Sequence, residues 1–369
     1  MPSSLVDLFL DAVRVEALPL RERPMAQFVR RSLAGLPVKV IEDDTGHRIN
    51  GECGNIICVP EWFDSGRPAI ALFAHMDTPR NTAFVHPVLT QTKITSDGTT
   101  ILGVDNRAGS SILLQALRES LPGRMGNFLV VFTVAGEIGL YGSKHINLDP
   151  YNVRLGFVFD SAKRPGTFVQ SAIGCSLYTA TFIGKAAGGT AGPAEGVNAI
   201  KIAAKALSRV PVGRPGPGVT SNVGMIIGGE ATNIVPERCV LRGEVRAFNT
   251  DRLYEHISML KATFVNTANE RNGSVEFETT VDFPPYAIDK PSESYRVTAA
   301  ALQAVGLDPF PIDDDTGSDA NMLNAHGIPT INLGIGAQNP NANDEFILLE
   351  DLHKAEEIAK ELITMSASL

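Results

Sequence analysis

The chain has 369 residues, a net charge of −9 and a pI near 5.3; at that length two domains are expected rather than one core. Apolar residues at 44% and charged residues at 20% are globular values. The acidic balance argues against a nucleic-acid or anionic-membrane partner, since either would want a basic surface.

Asp7, Arg14 and Glu16 interrupt the apolar residues of the N-terminus, which therefore does not read as a signal peptide. No apolar run approaches the ~18 residues that a bilayer span needs. The four cysteines, Cys53, Cys58, Cys175 and Cys239, form no C-x-x-C pair. They read as buried free thiols of a cytoplasmic protein, ahead of disulfides or a cysteine metal site.

In the first half, "AIALFAHMD" (69–77), "NFLVVFTVA" (127–135) and "RLGFVFDS" (154–161) are continuous apolar blocks, as expected of strands covered on both faces. Between the first two, "NRAGSSILLQALRESL" (106–121) carries leucines at helical spacing. This βαβ rhythm predicts an α/β domain with a mostly parallel sheet. The middle has a different order: strand 175–183, helix 196–210, strands 222–228 and 238–248, a helix from Asp251 to about Arg271, and strand 274–283. That β-α-β-β-α-β order predicts a ferredoxin-like α+β unit, a lid or dimerisation module over 172–283. It is inserted into a domain formed by 1–171 and 284–369. The βα style returns with a helix near 293–305, strand 328–336 and helix 350–363.

Open α/β sheets bind ligands at the C-terminal ends of their strands. The first block ends in His75-Met76-Asp77, and residues i and i+2 of a strand share a face, so Asp77 can orient the His75 imidazole. Asp105 follows "ILGV", Glu137 lies just past "NFLVVFTVA", and Asp160 closes "RLGFVFD". Singly, each has an ordinary reading: His75 as a satisfied core histidine, Asp105 as a helix N-cap. Together, one imidazole and three carboxylates closing different apolar runs favour a metal site, and zinc accepts this mixture of donors. H-E-x-x-H, G-x-S-x-G, G-x-G-x-x-G and Walker motifs are all missing.

"AHMDTP", "GVDNRAG", "GEIGLYGSKH", "FVFDS" and "GSDANMLNAHGIPTINLGIG" resemble the marker segments of the peptidase T (tripeptide aminopeptidase) family and its co-catalytic zinc-exopeptidase relatives. The resemblance runs over nearly the whole chain, including "GGEATNIVPERCVLRGEVRAF". It implies a zinc-peptidase (phosphorylase/hydrolase-like) domain with an inserted lid that serves dimerisation. It also implies two zinc ions, with cobalt or manganese as substitutes, and short peptides or acyl-amino acids as substrates. His75, Asp105 and Asp160 would hold one metal, with Asp105 bridging, Asp77 behind His75, and Glu137 on the second metal. Asn233 and Arg246 match substrate-contacting lid positions, and Gly317, Ser318 and Asp319 match a substrate-side loop.

The chain departs from this family at functional positions. Gly136 stands where a glutamate moves the proton of the metal-bound water, Asn341 where a histidine completes the second metal, and Gly188 where a lid histidine faces the intermediate. Asp344, Glu345 and His145 lie near enough in sequence to stand in for a missing group. Two expectations follow. One is a cytoplasmic metallopeptidase-type hydrolase of short peptides or acyl-amino acids, impaired and relying on one good metal site and an unorthodox base. The other is a degenerate relative that binds metal, peptide or a partner subunit without turnover.

Overall fold

Strand Ala69–His75 and strand Phe128–Thr133 are buried along their whole length, which is why each is written as an unbroken apolar run. They sit at the centre of the main sheet of a computed structural model that describes residues 4–82, 84–188 and 195–368. The chain divides into two compact units, Met1–Ser171 with Ala287–Leu369, and Ala172–Tyr286.

In the first unit the strand order is Val38–Glu42, Ile56–Pro60, Phe128–Thr133, Ala69–His75, Val153–Ser161, Thr330–Gly334 and Thr167–Ala172. The central pairs are parallel. The flanking pairs are antiparallel, so the sheet is mixed, with its parallel part at the centre. At one flank only the short helix Thr45–Ile49 separates Val38–Glu42 from Ile56–Pro60, and a connection of that kind suits an antiparallel pair.

Helix Val104–Ser120 packs against Ala69–His75 and against the closing helix Leu349–Met365. Its entry shapes the site. Gly103 (φ +81°) turns the chain, and Asp105 and Asn106 are still non-helical, so regular helix begins only after them. The first helix, Leu5–Ala12, also packs on Val104–Ser120 and is closed by a Ser4/Asp7 capping box. It was not expected from the sequence, nor was the second helix, Arg23–Ser32.

The second unit is an antiparallel sheet in the order Gly213–Gly216, Val219–Gly228, Arg238–Ala247, Gly174–Ile183, Ser274–Phe283. Helices Ala199–Leu207 and Thr250–Asn269 set Ile202, Ala203, Leu260 and Phe264 into one core with Phe182, Leu241 and Val245. The order and pairing are those of a ferredoxin-like unit. The helix expected over 196–210 is shorter, because Asn198 caps it by accepting from the Lys201 N–H. Along Val219–Gly228, pairing with Gly213–Gly216 stops at Ser221, leaving Met225, Ile226 and Ile227 exposed near an open edge. No helix among the described residues is long and apolar enough to cross a membrane.

Candidate metal centre

His75 is the last residue of its strand, and Asp77 lies just beyond it, fully buried. The Asp77 carboxylate accepts the backbone N–H groups of Gly136 and Glu137, each at 2.9 Å, and lies 3.2 Å from His75 Nδ1. One buried carboxylate thus aims the imidazole and also fixes the loop that follows Phe128–Thr133. Burial works to raise the pKa of Asp77, but His75 and the two N–H groups outweigh it and hold the carboxyl below its usual range.

The other face of the imidazole looks into the site. His75 Nε2 is 3.1 Å from Asp105 Oδ1 and 3.3 Å from Asp160 Oδ1. Burial alone would lower the His75 pKa, yet Asp160 and Asp105 carry it well above the ordinary value. Asp160 is in turn held by Asn106 Nδ2 at 3.0 Å. Glu137 completes the group. One donor atom each from His75, Asp105 and Glu137 lie within 4.8 Å of one another.

The charges in this cluster are unfavourable as they stand. Burial, then Asp105, pushes the Glu137 carboxyl up to about 8. Burial pushes Asp160 up to about 6. Glu137 Oε1 is buried without a hydrogen-bond partner. Crowded carboxylates, an orphaned carboxylate oxygen and an imidazole held from behind fit a divalent cation, which would offset the repulsion and take up the free donor.

These groups line a cleft of about 260 Å³ whose wall also includes Gly136, Thr316, Gly317, Asn332 and Asn341. Gly136 does not leave an open hole there. A Cβ at this position would meet His75 Cγ at 2.8 Å and His75 Cβ at 2.9 Å. The imidazole packs on the glycine backbone, in space a side chain would need.

The remaining expected residues are distributed as follows. Gly317 is on the cleft wall, whereas Ser318 is buried at the start of helix Asp319–Ala325, its N–H donating to Asn321 Oδ1. Asp319 is buried and accepts from Thr133 Oγ1 at 2.6 Å. Asn341 has φ +66°, and its carbonyl accepts from Arg80 Nη2 at 2.6 Å. Asp344 accepts from Asn339 Nδ2, and His145 lines a different cleft with His326. Asn233 and Arg246 belong to the second unit. There Arg246 is paired with Glu244 at 3.0 Å, and Asn233 lines a cleft of about 580 Å³ with Lys201 and Arg271. A Cβ on Gly188 would meet nothing within 4 Å.

Two buried acids stand behind the site: Glu345, which the sequence offered as a stand-in for a missing group, and Glu22, to which it gave no place. Glu345 accepts the Gly103 N–H at 2.6 Å and the Asp105 N–H at 3.3 Å, so it grips the loop that presents Asp105. Burial pushes its carboxyl up to about 7. Glu22 accepts the N–H groups of Leu20 and Ala135, and its Oε2 is buried without a partner. Both act on backbone amides, and no side-chain motif announces that.

A peptidase dimerisation domain family (M20_dimer) matches residues 174–272. An uncharacterized protein of Bacillus subtilis, YqjE, is 29% identical over 98% of this chain and 98% of its own length. The crystal structure of aminopeptidase PepT from Bacillus cereus is 31% identical and covers 98% of each chain, with a TM-score of 0.87. That of a tripeptidase from Staphylococcus aureus is 30% identical over 99% of this chain and 98% of its own, with a TM-score of 0.90.

Proposed function

We propose, for a chain that belongs to the M20 peptidase family and is peptidase T-like, a metal-dependent site for short peptides or acyl-amino acids at which hydrolysis is strongly impaired. The supporting observation is the Gly136 position. No side chain there can move a proton, and the His75 ring fills the space.

His75, Asp105, Glu137 and Asp160 would hold zinc, or cobalt or manganese in its place. Such an ion, when bound, would polarise a substrate carbonyl and lower the pKa of a coordinated water. The chain's own groups do the rest. Asp77 holds His75 in one orientation, and Glu345 and Asn106 steady Asp105 and Asp160. Gly317 and Asn341 offer the cleft wall to a ligand. Apart from the ligand set itself, the described residues lining this cleft include no acid or histidine to serve as a base. General-base catalysis is worth ~10²–10⁴ in rate, and that factor is what the site lacks.

The test is a tripeptide assay of the purified protein with added zinc, cobalt or manganese, alongside calorimetric peptide binding. The expected result is metal-dependent peptide binding with turnover at least ~10²-fold below the 1–10³ s⁻¹ typical of enzymes. Turnover within that range, abolished by His75→Ala, would overturn the reading. The second reading, a degenerate relative without turnover, draws on the glycine at Gly188 as well. It is distinguished by peptide binding with no hydrolysis above buffer.

The reading includes a homodimer formed through the second unit, where Met225, Ile226 and Ile227 are exposed near an unpaired strand edge. It also includes a cytoplasmic location, in keeping with four free, buried cysteines.

A further inference from the structure

We infer that this centre binds one metal ion per chain, not the pair that the family resemblance implies. The inference deepens the proposed function and rests on its metal site.

The argument is one of donor supply. Zinc in a catalytic-type site takes three protein ligands and an open position, so two such ions sharing a carboxylate need about five protein groups. The described lining of the cleft supplies His75, Asp105, Glu137 and Asp160 as ionisable donors. Asp105 and Asp160 lie 3.1 and 3.3 Å from His75 Nε2, and one donor atom each from His75, Asp105 and Glu137 lie within 4.8 Å of one another. Three such donors with an open position, or four, serve one ion. Divided between two ions, they would leave the second with Glu137 and a share of Asp105.

Among the described residues, the four that the sequence offers for the missing ligand are committed elsewhere or chemically weak. Asn341 lies on the wall, but its side-chain amide is neutral and a weak zinc donor, and only its backbone carbonyl is engaged by Arg80. Asp344 is exposed and bonded by Asn339. Both Glu345 oxygens accept the amides of Gly103 and Asp105. His145 stacks on Tyr141 and lines another cleft.

Asn341 is therefore the residue that limits the count, and its backbone allows the repair. At φ +66° it lies in the left-handed region, where histidine is among the better tolerated side chains.

The experiment is zinc titration of chelator-stripped full-length protein, with bound metal per chain measured by mass spectrometry after gel filtration, and cobalt titration by calorimetry in parallel. The expected result is one equivalent for the wild type and two for Asn341→His. Two equivalents in the wild type would overturn this inference and leave the proposed function standing. No tight metal binding would overturn both. One equivalent in a folded Asn341→His protein would refute the role given to Asn341. If that variant does not fold, the wild-type count decides alone.

Discussion

Restoring a glutamate at position 136 is the obvious repair of a missing base, and the structure predicts that it fails. The Gly136 backbone is outside the left-handed region, so the obstacle is space. A Cβ there meets His75 Cγ, Cβ and Cδ2 at 2.8, 2.9 and 3.2 Å. Carbon atoms pack comfortably at about 3.5–4.0 Å, so the ring must retreat by roughly 0.5–1 Å. The His75 Nδ1 to Asp77 Oδ1 distance is already 3.2 Å, and such a retreat takes it to the limit of a hydrogen bond. On the far side, Nε2 leaves its place beside Asp105 and Asp160.

Overpacking of this kind costs about 1–3 kcal/mol. Since ~1.4 kcal/mol is a factor of ten, metal affinity should fall roughly 5- to 150-fold if the strain is carried at His75. The assay is zinc competition against a chromophoric chelator on wild type, Gly136→Ala and Gly136→Glu. Both variants should weaken binding to a similar extent, because they share the offending Cβ, and Gly136→Glu should gain no turnover. Wild-type affinity in both would refute the steric argument. So would a Gly136→Glu protein that binds zinc normally and hydrolyses tripeptides ~10²-fold faster.

Asp77→Asn should lower metal affinity by about 10–100-fold, the usual effect of losing a partner behind a metal-binding histidine, and chelator competition would read it. Glu22 gives a pH prediction. Burial, then Asp77, raises its carboxyl from 4.5 to about 7, so the folded protein keeps a proton that the unfolded chain has released. Its contribution to stability is present below pH ~4.5 and is lost as pH rises to ~7, amounting to about 3 kcal/mol at ~1.36 kcal/mol per unit. Thermal melts of metal-free protein should show Glu22→Gln flattening the decline between pH 5 and 7.5; equal slopes would refute it. On the proposed dimer, Ile226→Glu, at a site 53% exposed, should convert dimer to monomer in light scattering; an unchanged mass would refute that interface.

What the sequence revealed and concealed follows from where each interaction is made. "AIALFAH" and "FLVVFT" announce themselves as central strands because both faces are covered, and composition alone records that. Helix Arg23–Ser32 does not, because "RPMAQFVRRS" buries only a narrow stripe of Met25, Ala26 and Val29 among charged residues. Candidate metal ligands at strand ends were visible for the same reason as the strands. The role of the acids behind them was not: Glu345 was named only as a stand-in for a missing group, whereas it reaches Gly103 across 242 residues, and its partners are backbone amides common to every sequence.

Gly136 shows the difference most sharply. A missing carboxylate can be read from letters, but a missing side chain has two possible consequences. Either a water-filled space remains, which a restored glutamate could enter, or a neighbour takes the space. Here the neighbour is the imidazole proposed as a metal ligand, so a restored base and that ligand would compete for one volume. On that reading, recovering proton transfer requires moving His75 together with residue 136.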